Sequence, residues 1–221
     1  SAMQGLDFTV VAPYWDLLLT GAWWTAVLTV SAGGLSFVFG ILFAVIVLYA
    51  PAILAYPVRA FMWLFMGTPL LLQLFLIYFG LVQIGIDIPA LAAGIIGLGL
   101  HFAVYNADVI RAGIVAVDAG QTEGARSIGF GKWQTLRYVV IPQAIRNTAP
   151  PIGSNLIALL KESSIVSVIG IAELVHSAQL AISETFRPFE FYITAAALYY
   201  LLNLVLEAAL HRFERYVEVS R

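Results

Sequence analysis

Apolar residues dominate five stretches of this chain, and polar residues gather between them. No charge occurs from 17 to 58, and Pro51 and Pro57 divide that run. A helix needs roughly 20 apolar residues to cross the hydrocarbon core of a bilayer. The pattern predicts spans over about 18–49, 60–86, 88–107, 147–172 and 191–210. Pro69 falls inside the second span and predicts a local bend there, with neighbouring helices satisfying the carbonyl it frees. The third span opens at Pro89, and its Gly94, Gly97, Gly99 and Ala103 predict close helix packing. Lys161-Glu162 interrupts the fourth, and Glu207 lies near the end of the fifth.

Composition agrees with this pattern. Of 221 residues, 61% are hydrophobic and 11% charged, where soluble domains carry about a quarter charged residues. Mean hydropathy is +0.92. A soluble fold would have to expose much of this surface to water, whereas a bilayer acts as its solvent. The net charge of -2 gives no hint of nucleic-acid binding, and the absence of cysteine excludes disulfides and thiolate chemistry. Ser1-Ala2-Met3 reads as a cloning remnant. Asp7 and Asp16 stand where a signal peptide would carry basic residues.

Basic residues set the expected orientation, because they collect in cytoplasmic loops. With five spans, one side holds Arg59, Arg111, Arg126, Lys132, Arg137, Arg146, Arg212, Arg215 and Arg221, nine of eleven basic residues. The other side holds only Arg187, and Lys161 lies within a span. The nine-residue side is expected to be cytoplasmic, with the N-terminus outside and the C-terminus inside. The chain then divides into an external segment at 1–16, a transmembrane domain at 17–210 and a cytoplasmic tail at 211–221. The fold class is all-α integral membrane, with about five transmembrane helices.

The polar stretch 111–146 reads as two short helices with a break. Asp118 is a candidate N-cap of the first, Gly129 and Gly131 supply the break, and Pro142 is expected to end the unit before span four. Within it stand Glu123-Gly124-Ala125, then Gly129, then nine residues, then Val139, Val140, Ile141 and Pro142. This resembles the E-A-A-x3-G-x9-I-x-L-P loop of binding-protein-dependent permeases of ABC importers. Gly124 replaces an alanine, which loosens a helix by about 1 kcal/mol. The stretch Gly67-Thr68-Pro69-Leu70-Leu71-Leu72-Gln73 resembles that family's G-T-P-L-L-x-Q. Asn106-Ala107-Asp108 through Arg111-Ala112-Gly113 resembles its A-E-x-x-R-G-G. Gly120-Gln121, Ile141-Pro142-Gln143-Ala144, Lys161-Glu162-Ser163-Ser164 and Glu173-Leu174 continue the likeness to the polar amino-acid branch, over about 20–216.

That resemblance implies a type I importer permease fold with a coupling-helix loop. It implies a second permease subunit, identical or paralogous, and an ABC ATPase dimer that receives the loops. A periplasmic or extracellular binding protein would deliver an amino-acid substrate. Gly120, Glu123, Gly124, Ala125, Gly129 and Pro142 would then couple the chain to the ATPase. No G-x-x-x-x-G-K-[ST] stretch occurs in the chain. ATP and Mg are therefore expected on the ATPase, with no cofactor bound by this chain. It is expected to be a transporter subunit rather than an enzyme, in the bacterial inner membrane and in contact with lipid.

Charges within a span cost about 2.5–3.5 kcal/mol at mid-membrane and usually mark function. Lys161 and Glu162 lie about 22 Å along span four at 1.5 Å per residue, toward the outer side. With Ser163, Ser164 and Asn155 they form the candidate substrate cluster. The lysine suits a carboxylate and the glutamate an ammonium. Adjacent residues point about 100° apart, so both face one spot only if the helix breaks. Structural pairing to other helices is the competing reading. Thr68, Gln73 and Asn106 either line the pathway or bond helix to helix. His101, His176 and His211 lack metal-ligand spacing, and His101 reads as a packed interior residue. Tyr14, Trp15, Trp23 and Trp24 read as an interfacial belt. Segment 173–190 is expected outside, as a docking surface or a solvated turn. Two other functions stay open: a channel, though no TVGYG filter occurs, and a membrane enzyme, though no nucleophile and base stand together.

Overall fold

The computed structural model describes residues 5–219, with side chains through Tyr216. Ser1-Ala2-Met3 and the tail residue Arg221 lie outside the described residues. Among the described residues every regular element is helical. A 3-10 turn, Phe8–Tyr14, leads into α1, Trp15–Tyr49. Then follow α2 (Ala52–Met66), α3 (Leu70–Phe75), a π turn and α4 (Leu81–Gln83). Helix α5 is Ala90–Val115, and α6 is Ala119–Ser127. A continuous helical run, Lys132–Ile169, contains α7 (Lys132–Thr135), α8 (Ile141–Glu162) and a closing 3-10 segment, Ser163–Ile169. Helices α9 (Leu174–Thr185) and α10 (Pro188–Val219) complete the chain.

Among the described residues, four helical runs are long and apolar enough to cross a membrane: Phe8–Tyr49, Ala90–Val115, Lys132–Ile169 and Pro188–Tyr216. The pair Ala52–Met66 and Leu70–Gln83 makes a fifth, bent span, which turns by 113°. The local bend expected at Pro69 is therefore present, and it is sharp. The helix starts earlier, at Ala52, and breaks outright over Gly67-Thr68-Pro69. Proline cannot donate a backbone bond, and it forces Thr68 toward extended geometry.

Helices α1 and α5 form the centre. Small residues let them approach: a Cβ on Gly40 would meet the Cβ of Asn106 at 2.8 Å, and one on Gly99 would run into Leu35. Around them packs a core of Leu28, Leu70, Leu74, Leu98, Phe102, Leu159 and Val166. At the far end from the polar loop, Leu18, Leu174, Ala178, Ala181 and Phe191 make a second cluster. The outer faces of α1, α2 and α10 are apolar and exposed, as with Val30, Trp63 and Val205, which suits lipid or protein neighbours.

Two expectations are corrected. Pro142 does not end a unit, since helix continues through it into α8. A π turn over Leu136–Val140 absorbs the proline: the Ile141 amide reaches back to the Leu136 carbonyl, and the Gln143 side chain donates to the Val139 carbonyl at 2.9 Å. Segment 173–190 is not a solvated turn. Helix α9 lies along α1 with Leu174, Ser177, Ala178 and Ala181 buried. Its small residues face Gly21, where a Cβ would come within 2.9 Å of the Leu174 Cα.

Candidate functional site

The polar loop is built by local bonds. Asp118 caps α6, its carboxylate accepting from the Gly120 amide at 2.6 Å. At the other end the Phe130 amide donates to the Ala125 carbonyl and the Gly129 amide to the Arg126 carbonyl, both at 3.0 Å. That pair of bonds is a Schellman closure, and it needs a left-handed residue, supplied by Gly129 at φ 93°. The Gln134 side chain then caps α7 by accepting from the Gly131 amide at 2.9 Å. Ala125 is buried, whereas Glu123, Gly124 and Arg126 are exposed. A Cβ on Gly124 would meet open space. Exposed apolar side chains crown the loop: Ile128 at 75%, Trp133 at 83% and Tyr138 at 62%. A cavity of about 690 Å³ lies beneath, between Tyr49 of α1, Ile114 of α5, and Arg126, Trp133 and Leu136 of the loop.

The candidate pathway residues separate into three groups. Gln73 and Thr68 brace the break between α2 and α3. The Gln73 amide donates to the Phe65 carbonyl and the Thr68 hydroxyl, both at 2.9 Å, and its oxygen meets His101 Nδ1 at 2.9 Å. That oxygen only accepts, so the proton sits on Nδ1 of His101. Asn106 joins three helices: it donates to Ser36 of α1 at 3.1 Å and accepts from Asn155 of α8 at 2.9 Å. Both groups bond helix to helix, and Asn106 also lines a cavity of about 310 Å³ with Ser36 and Leu156.

The third group is the end of α8. The α-helix stops at Glu162, and the tighter 3-10 turn begins at Ser163. Lys161 and Ser164 line a cavity of about 260 Å³ with Val175 of α9 and Tyr192, Ala195, Ala196 and Tyr199 of α10. Among the described residues neither Lys161 nor Glu162 has a hydrogen-bond or salt-bridge partner for its side chain. Ser163 turns away from the cavity, fully buried, its hydroxyl bonded to the Leu160 carbonyl at 2.7 Å.

Behind that cavity lies a feature that residue-by-residue reading missed. Glu173 is fully buried and caps α9. Its carboxylate accepts from the Val175 and His176 amides at 2.9 and 2.8 Å, and from the Tyr199 hydroxyl at 2.7 Å. The Leu174 amide donates to the Thr25 hydroxyl at 3.2 Å. A glutamate followed by an apolar run was the available signal for a cap. Nearer the chain start, Asp7 and Arg187 tie the N-terminal segment to Glu190: the Asp7 amide donates to its carboxylate at 3.1 Å. The Thr9 hydroxyl, aided by the Thr9 amide, holds the Asp7 carboxyl below its ordinary range.

A family described as "Binding-protein-dependent transport system inner membrane component" matches residues 36–219. The chain belongs to this family. The permease is 35% identical to the arginine transport system permease protein of Bacillus subtilis, covering 92% of this chain and 93% of that one. It is 32% identical to the glutamine transport system permease protein of Escherichia coli K12, with 96% and 98% covered. A crystal structure of an amino acid ABC transporter with histidines superposes with a TM-score of 0.90 at 41% identity, covering 96% of this chain and all of that one. An inward-facing methionine ABC transporter gives 0.77 at 25% identity, with 93% and 98% covered. The permease thus has the type I importer fold and is a multi-pass inner-membrane component.

Proposed function

We propose that this permease forms the translocation pathway of an ATP-driven importer for a polar or charged amino acid. Relatives named for arginine and glutamine transport support that substrate class. The charge bias supports a cytoplasmic loop, an external N-terminus and a cytoplasmic C-terminus. In this reading a separate ABC ATPase dimer, holding ATP and Mg, receives the loop of each of two permease subunits. A binding protein delivers the amino acid at the opposite face.

The observation that carries the reading is the loop itself. It is held rigid by its own caps yet presents Ile128, Trp133 and Tyr138 to the outside beside Glu123, Arg126 and Lys132. Exposed aromatics among charges are what a protein-docking surface requires. Gly120 and Asp118 start the lever, Ala125 anchors it inward, Gly129 ends it, and Pro142 passes its movement into α8. At the far side, Lys161 on the cavity is complementary to the carboxylate of an amino acid, and Glu162, next to it in sequence but not lining that cavity, to an ammonium. The positive end of α9 is already closed by Glu173, so among the described residues Lys161 is the cationic side chain lining this cavity.

Because the chain has no cysteine, single-cysteine variants report topology cleanly. Glu123→Cys and Lys132→Cys should react with an impermeant maleimide only after the membrane is opened. Labelling from outside intact cells would overturn the orientation and the coupling role together.

A further inference from the structure

We infer that Glu173 is a positioning residue for the substrate cavity: through Tyr199 it fixes the wall against which Lys161 receives a carboxylate. This rests on the substrate reading of Lys161 above. Elements far apart in the chain meet at this cap: Glu173 and the amides of Val175 and His176 come from the start of α9, Tyr199 comes from α10, and Thr25 of α1 accepts from the Leu174 amide. Thr25, Ser163 and Glu173 are fully buried. The Tyr199 hydroxyl donates to Glu173 at 2.7 Å.

Of these residues Tyr199 forms part of the cavity wall, whereas Ser163 is buried behind it, one position before the cavity residue Ser164. Val175, whose amide the carboxylate holds, lines it as well. Glu173 touches none of the open space, yet it bonds two of the groups that shape it. A buried hydrogen-bonded knot has discrete geometry, so losing one bond lets the tyrosine ring settle elsewhere. Small displacements of a positioned charge cost binding steeply. An isolated N-cap would need only the two amide bonds. The third bond, to a residue 26 positions on, is what couples the cap to the cavity.

The test uses the intact permease–ATPase complex in lipid nanodiscs and equilibrium dialysis. The probes are radiolabelled L-glutamine, L-arginine and L-histidine, each beside the amine left when its carboxylate is removed. Tyr199→Phe and Glu173→Gln should each weaken binding of the acid about 3- to 10-fold and leave its amine unchanged. Equal losses for acid and amine would mean general damage and overturn the inference, as would no loss for either. If Glu173→Gln does not assemble, Tyr199→Phe decides alone. Lys161→Ala tests the underlying reading separately: it should abolish the preference for acid over amine. If Lys161→Ala keeps that preference, or the unaltered complex binds none of the three acids, the substrate reading itself falls.

Discussion

The loop around Glu123 and the knot around Glu173 are both polar, and both hold helix termini, yet they are built in opposite ways. Loop bonds run between residues two to five apart, as from Gly120 to Asp118 or Phe130 to Ala125. The charges and aromatics point outward. Knot bonds join segments up to 149 residues apart, as from Leu174 to Thr25, and Thr25 and Glu173 are fully buried. A local structure can present its side chains to a partner and move as a unit. A long-range one holds the bundle in register. The contrast teaches where a substitution should touch coupling and where it should touch assembly.

The strongest way to break this contrast is Glu173→Ala. It leaves the Val175 and His176 amides and the Tyr199 hydroxyl without their acceptor in a closed interior. Each such loss costs about 1–3 kcal/mol, so the permease should lose at least about 3 kcal/mol and assemble poorly. Thermal unfolding in nanodiscs measures this, and near-normal stability would show that water replaces the carboxylate. Next is Glu123→Ala. The residue is exposed, so stability should stay within about 0.5 kcal/mol, while uptake per ATP hydrolysed falls about 10-fold. Uptake at the normal rate would remove Glu123 from the coupling role.

Gly129→Ala should have a smaller effect. A side chain at φ 93° costs about 1–2 kcal/mol of local strain, which frays the end of α6. Complex formation with the ATPase should weaken severalfold, with the span helices unaffected by circular dichroism. The smallest expected effect is Gly124→Ala. Nothing lies within 4 Å of the added carbon, and the helix gains up to about 1 kcal/mol. The loop should resist proteolysis slightly better, with transport equal or modestly improved. A loss of transport here would mean that the ATPase fills the space above Gly124.

The sequence by itself determined most of the membrane architecture. Each span is a run of apolar residues long enough to satisfy its own backbone, so length and composition settle it. The loop was legible for the same reason. Asp118, Gly129 and the caps between them act on neighbours in the chain, and their spacing is their geometry. Only the tertiary structure decided that Gly67-Thr68-Pro69 breaks a span by 113°, with Gln73 and His101 bracing the corner, or that a π turn carries helix through Pro142. Only it turned Ser163 inward, left Lys161 and Ser164 on the cavity, paired Asn106 with Asn155, and buried Glu173 beneath Tyr199. Those outcomes depend on which distant helix supplies the hydrogen-bond partner. No periodicity along the chain encodes that choice. It is made when distant segments close over polar groups that the bilayer cannot solvate.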